Sequence, residues 1–154
     1  MLPVAALVVG GVLALRSPPG AAYDIQPGDD LFATLEKLEA GDEVVIHAGT
    51  YRSPGFYEAR WDGTDDAPVM VRGAPGEARP VLVGLPEQDI VDLEGSHFTL
   101  SHLELRRGGD GLRLGNVDHA TFKDLVIHDL EDIGISCNLP GKVCDAVTIR
   151  DSEI

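Results

Sequence analysis

Three short segments, Ile90-Val91-Asp92-Leu93, Gly111-Leu112-Arg113-Leu114 and Asp132-Ile133-Gly134-Ile135, are versions of one another. Their apolar pairs, Val91/Leu93, Leu112/Leu114 and Ile133/Ile135, recur at two successive offsets of 21 residues. A second strand-like segment follows each. Thr99-Leu100-Ser101-His102-Leu103-Glu104-Leu105 aligns with Thr121-Phe122-Lys123-Asp124-Leu125-Val126-Ile127 at 22, and then with Thr148-Ile149-Arg150-Asp151-Ser152-Glu153-Ile154 at 27. The extra residues of the last offset fall between Cys137 and Cys144. Short alternating strands at this period form a solenoid, in which each coil covers the apolar face of the next. A leucine-rich repeat shares the period but needs a regular Leu-x-x-Leu-x-Leu frame with Asn, which is missing here. The pattern predicts an all-β chain folded as a parallel β-helix.

The rest of the chain is consistent with coils. Tyr23–Gln26, Asp42–Ile46, Val69–Arg72 and Val81–Val83 read as strands, and Gly73-Ala74-Pro75-Gly76 as a corner. Gly55–Asp66, polar and turn-rich, reads as a loop, with Trp61 packed on the flank of a coil. Asp29 or Asp30 is placed to cap a helix over Leu31–Glu39, whose Leu31, Leu35 and Leu38 form one stripe and whose end falls at Gly41. An amphipathic helix before the first coil would cover the apolar end of the stack. No segment is long enough to supply βαβ crossovers, which excludes a doubly wound sheet.

Composition narrows the partners. The 154 residues make one domain at most. The net charge is −14, from 26 acidic and 12 basic residues, which disfavours nucleic acid and anionic lipid. Val4–Leu15 is an apolar run of 12, too short to cross a bilayer. With Gly20-Ala21-Ala22 behind it, residues 1–22 read as a signal peptide. Residues 23–154 are then the mature coils, secreted or periplasmic and detached from the membrane after cleavage. Five histidines show no zinc spacing, and no metal site is assigned. Cys137 and Cys144, the only cysteines, flank an inserted loop, and an oxidising compartment would join them in a disulfide.

Three runs carry a family resemblance. They are Gly41-Asp42-Glu43-Val44-Val45-Ile46 with Gly49-Thr50-Tyr51, then Gly63-Thr64 with Ala67-Pro68-Val69-Met70-Val71, then Pro80-Val81-Leu82 with Gly84. Together they resemble the opening coils of pectate-lyase-like proteins, nearest to the chondroitinase-B-like and alginate-lyase-like polysaccharide lyases, and the resemblance implies a right-handed parallel β-helix. Ser152, Leu103 and Leu125 stand where such coils often stack Asn. The resemblance implies a polysaccharide partner and cleavage of uronic-acid polymers by β-elimination. The alternative it leaves open is a non-catalytic β-helix protein that binds glycans or builds a surface structure. The chain stops at the inward-facing Ile154 with no capping element after it, so it is expected to be the C-terminally truncated opening of a longer protein, and the resemblance implies that the catalytic machinery lies on its downstream coils.

Strand alternation assigns the side chains. Leu100, Phe122 and Ile149 should point inward, as should Leu105, Ile127 and Ile154. On the first strand of each coil, Asp92, Arg113 and Gly134 should form one outward column and Glu94, Gly115 and Ser136 the next. This is the face on which the resembling lyases place their cleft, so Asp92, Glu94 and Arg113 are the candidate substrate-binding residues. Asp92 and Glu94, with Asp110 from a corner, offer the oxygens that a calcium ion would take. The alternative is a surface ion pair between Asp92 and Arg113, one coil apart.

Overall fold

The computed structural model describes residues 20–154, so most of the expected signal peptide lies outside the described residues. The ordered elements are β1 (Ala22–Ile25), α1 (Leu31–Leu35), β2 (Glu43–Ile46), β3 (Thr50–Arg52), β4 (Glu58–Asp62), β5 (Val69–Gly73), β6 (Val81–Val83), β7 (Val91–Arg106), β8 (Leu112–His128), β9 (Ile135–Ser136) and β10 (Cys144–Arg150). Every named pairing between these strands is parallel. They wind a β-solenoid of about five turns with three faces.

The first face stacks β4, the start of β7, the start of β8 and β9. The second runs β1, β2, β5, the middle of β7, the middle of β8 and β10. The third runs β3, β6 and the ends of β7 and β8, with Glu153 bridging Val126. β7 and β8 are therefore continuous strands of 16 and 17 residues, each bent twice. The bends fall at left-handed residues that stack coil on coil: His97, His119 and Ala146 at one corner, His102, Asp124 and Asp151 at another. His and Asp tolerate this conformation better than most side chains, which is why they recur at these offsets.

The second and third faces match the expected columns. Val44, Val71, Leu100 and Phe122 stack inward and are buried, as do Tyr51, Leu82, Leu105 and Ile127. Thr99, Thr121 and Thr148 share a column outside. Ile149 and Ile154 hold their places in register but stay exposed, because no later coil covers them among the described residues.

The first face needs three corrections. Gly55–Asp66 is not simply a loop, since Glu58–Asp62 forms β4 with Ala59 and Trp61 turned into the core. Leu112 pairs with Ile135 rather than Ile133, a slip of two residues. The cause is Asp110, whose Oδ1 takes the Ile133 N–H at 3.1 Å and holds Ile133 at the corner, 39% exposed. The slip also moves Ser136 out of the Glu94/Gly115 column into register with Arg113, where its side chain is buried rather than exposed. Its hydroxyl donates to Asp110 Oδ2 at 2.6 Å, and both side chains are buried.

The expected amphipathic helix over Leu31–Glu39 does not form at that length, because only Leu31–Leu35 is helical. Asp30 caps it by accepting from the Ala33 N–H. The helix ends where the Lys37 N–H turns to the Thr34 carbonyl, and past that end the buried Asp42 accepts the Glu39 N–H on Oδ2 and the Ala21 N–H on Oδ1. Tyr57 Oη donates to the Phe32 carbonyl and Trp61 Nε1 to the Leu35 carbonyl. These bonds fasten α1 along β4, which has a strand neighbour on one side only.

Candidate functional site

Alternation on the first face puts Glu58, Asp92 and Arg113 in one outward column across three coils, with Arg60 and Glu94 in the next. These residues, with Glu36, Gly115, Leu139 and Lys142, line a cleft of about 520 Å³. The three candidates Asp92, Glu94 and Arg113 are therefore together. Two cations of the cleft, Arg60 and Lys142, were missed from sequence. Arg60 lies in the segment read as a loop, and Lys142 in the inserted loop between the cysteines.

The cleft floor is not the expected ion pair. Arg113 Nη1 donates to Asp89 Oδ2 at 3.0 Å, and Asp89 Oδ1 accepts the Asp110 N–H at 2.9 Å. Asp92 is left aside. Its Oδ1 and the Arg113 Nε are both buried and have no hydrogen-bond partner in the protein. Burial and the facing Asp89 carboxyl push the Asp92 carboxyl up to about 6, against a smaller opposing pull from Arg113. Asp92 is thus a carboxyl that holds its proton into mildly acidic solution.

Glu94 behaves in the opposite way. Lys142 Nζ donates to its Oε1 at 2.5 Å and Arg60 Nη1 to its Oε2 at 3.3 Å, and the Lys142 bond holds its carboxyl below the usual range. Arg60 is shared with Asp62 at 2.7 Å.

The oxygens named for calcium do not fit such a site. Both Asp110 oxygens are committed to the Ile133 N–H and the Ser136 hydroxyl, and both Glu94 oxygens to cations. A calcium ion takes about 6–8 oxygens that converge on one point. Among the described residues no three metal-ligating side chains converge in that way.

The second wall of the cleft is the loop between the cysteines. Cys137 and Cys144 are joined by a disulfide with Cα atoms 6.5 Å apart. The Lys142 N–H donates to the Leu139 carbonyl, and the Val143 N–H to Asn116 Oδ1 of β8. The loop is thus closed on itself and tied to the coil beneath, and it presents Leu139 and Lys142 to the cleft.

The Asp92 carboxyl gives a direct prediction. Its folded-state value lies above the ordinary 3.8, so its ionisation opposes folding. The penalty is absent below about pH 4, grows as pH rises to about 6 and is complete above that. Asp92→Asn should therefore stabilise the protein at pH 7.5 by about 1–2 kcal/mol, after discounting for solvent screening, and do little at pH 4. Urea unfolding at both values checks this. Destabilisation at pH 7.5 would mean that the Asp92 carboxylate is held by Arg113 after all.

No protein-family model matches the chain, and no curated protein matches it. Solved structures do. An alginate lyase from Paenibacillus sp. str. FPU-7 superposes with a TM-score of 0.74 at 23% identity, over 86% of this chain and 44% of that one. A pectate lyase, Pel9A, superposes at 0.62 and 13% identity, over 88% and 48%. The fold is that of the β-helix polysaccharide lyases. A mannuronic-acid-specific polysaccharide family 6 lyase from human gut microbiota adds a TM-score of 0.57 at 18% identity, over 75% of this chain and 31% of that one. The chain spans less than half the length of each of the three. Among the described residues no helix is long and apolar enough to cross a membrane.

Proposed function

We propose that this chain forms the opening coils of an exported, carbohydrate-active β-helix protein of the polysaccharide-lyase type, and that its first face grips a uronic-acid polymer. Residues 1–22 act as the export signal and residues 23–154 as the mature coils. One observation carries the reading: Arg60, Arg113 and Lys142, from three different turns, converge on one cleft. Strands stack about 4.8 Å apart, so Arg60 on β4 and Arg113 on β8, with β7 between them, can meet separate carboxylates of an extended polymer lying along the axis.

β-Elimination needs a neutralised carboxylate, a base for the C5 proton and an acid for the leaving oxygen. Arg113 supplies neutralisation, and Asp92 holds a proton near pH 6. The base is the missing group. The cleft lining contains no histidine or tyrosine, and each of its cations is paired with a carboxylate. On this reading the chain contributes a binding surface, and elimination needs a base that the described residues do not place in this cleft.

Calorimetric titration with alginate, polygalacturonate and chondroitin oligomers tests the reading, with a neutral β-glucan oligomer as control. Binding of one or more uronates, weakened about tenfold by Arg113→Ala, is expected, together with no rise in ultraviolet absorbance from unsaturated product. Binding of the neutral oligomer alone would overturn the uronate assignment. Unsaturated product abolished by Arg113→Ala would place the catalytic centre on these coils.

A further inference from the structure

We infer that Lys142 is a substrate-positioning residue, a switchable cation that exchanges Glu94 for a polymer carboxylate, and that the Cys137–Cys144 disulfide exists to hold it over the cleft. The inference rests on the uronate-binding reading above and names the residue that would carry its selectivity.

Lys142 comes from no strand of the first face. It stands in the closed loop of seven-residue separation between the cysteines, and it nonetheless reaches Glu94, 48 residues earlier in the chain. A lysine on a flexible stem loses much side-chain freedom in such a pair, so an unsupported loop would seldom hold it there. Three constraints supply the support. The disulfide closes the loop, the Lys142 N–H to Leu139 carbonyl bond forms its turn with Gly141 at φ +75°, and the Val143 N–H bond to Asn116 ties the turn to β8. Glycine fits that left-handed position at no steric cost.

Glu94 is already served by Arg60 on its other oxygen. Lys142 can therefore leave it without stranding a bare carboxylate. An ammonium is a compact charge with three rotatable donors, suited to passing between two carboxylates.

The test compares wild type with Lys142→Ala, Glu94→Gln and Cys137→Ser/Cys144→Ser, titrated with the tightest-binding uronate oligomer. Lys142→Ala should weaken binding about tenfold. Glu94→Gln, which frees the ammonium, should tighten it several-fold. The double serine variant should weaken binding as much as Lys142→Ala, and combining the two should add little. The acetylation rate of the Lys142 amine, measured by mass spectrometry against exposed Lys37, gives a second readout that needs no glycan. It should be slow in wild type and rise to the Lys37 rate in the double serine variant. Unchanged binding in Lys142→Ala, where wild type binds uronates, overturns the positioning role. A slow Lys142 in the double serine variant overturns the role of the disulfide. A wild type that binds no uronate, with the acetylation contrast present, overturns the uronate reading while the clamp stands.

Discussion

Phe122→Ala should cost about 3–5 kcal/mol, the usual range for emptying a fully buried aromatic site. Phe122 is fully buried, its ring edge-on to Phe98 with centroids 5.8 Å apart. Phe98 in turn meets Trp61 edge-on at 5.4 Å. The three rings form one aromatic line from β4 through β7 to β8, so the vacated space lies where neighbouring coils interlock and cannot collapse without moving both. Such a loss is a large share of the 5–15 kcal/mol that holds a domain folded. Ile149→Ala supplies the contrast. Ile149 stands in the same column one coil on but is 47% exposed, and its truncation should cost under about 1 kcal/mol. Urea titrations of both variants decide the matter, and equal losses would mean that the column is not packed as described.

Gly95→Ala should be nearly as severe, at about 3 kcal/mol or more, from a backbone cause. Gly95 has φ +128° and sits where the β7–β8 register shifts. A Cβ there would lie 2.6 Å from the Trp61 carbonyl carbon and closer still to its oxygen. The obstacle is main chain of a paired strand, which cannot rotate away. Relief requires β4 to separate from β7, and that would carry Arg60 and Glu58 away from the cleft. Loss of uronate binding should therefore accompany the lowered melting temperature. A variant as stable as wild type would show that β4 and β7 approach less closely than described.

Much of this architecture is legible in the sequence, and the exceptions have physical causes. The second and third faces read correctly because Leu100/Phe122 and Leu105/Ile127 sit between fixed corner residues, so period and register agree. The first face does not, because Asp110 draws Ile133 and Ser136 toward itself and shifts the pairing by two residues. A two-residue slip keeps the alternation, so apolar spacing alone cannot reveal it. β4 was hidden by its flanking Gly and Asp, although Ala59 and Trp61 alternate with Glu58, Arg60 and Asp62 as a half-buried strand should. Asp92, Glu94 and Arg113 could be placed on one face because outward columns follow from the repeat. Lys142 could not, since the fold-back of a loop onto another coil leaves no periodic trace. The Arg113–Asp89 bond escaped notice because a corner residue competes with a strand neighbour only in three dimensions.

The corner loop has a further implication. The turn from Thr99 to Thr121 takes 22 residues and that from Thr121 to Thr148 takes 27, yet all three threonines fall in one column. Chain length at a corner is thus decoupled from alignment in the walls. One residue added inside a strand would turn every following side chain to the opposite face. Several added at a corner leave the stack untouched and extend an arm beside the cleft. Lineages of such proteins can therefore remodel what the groove touches by lengthening and shortening corners, through single insertions that selection on folding hardly sees.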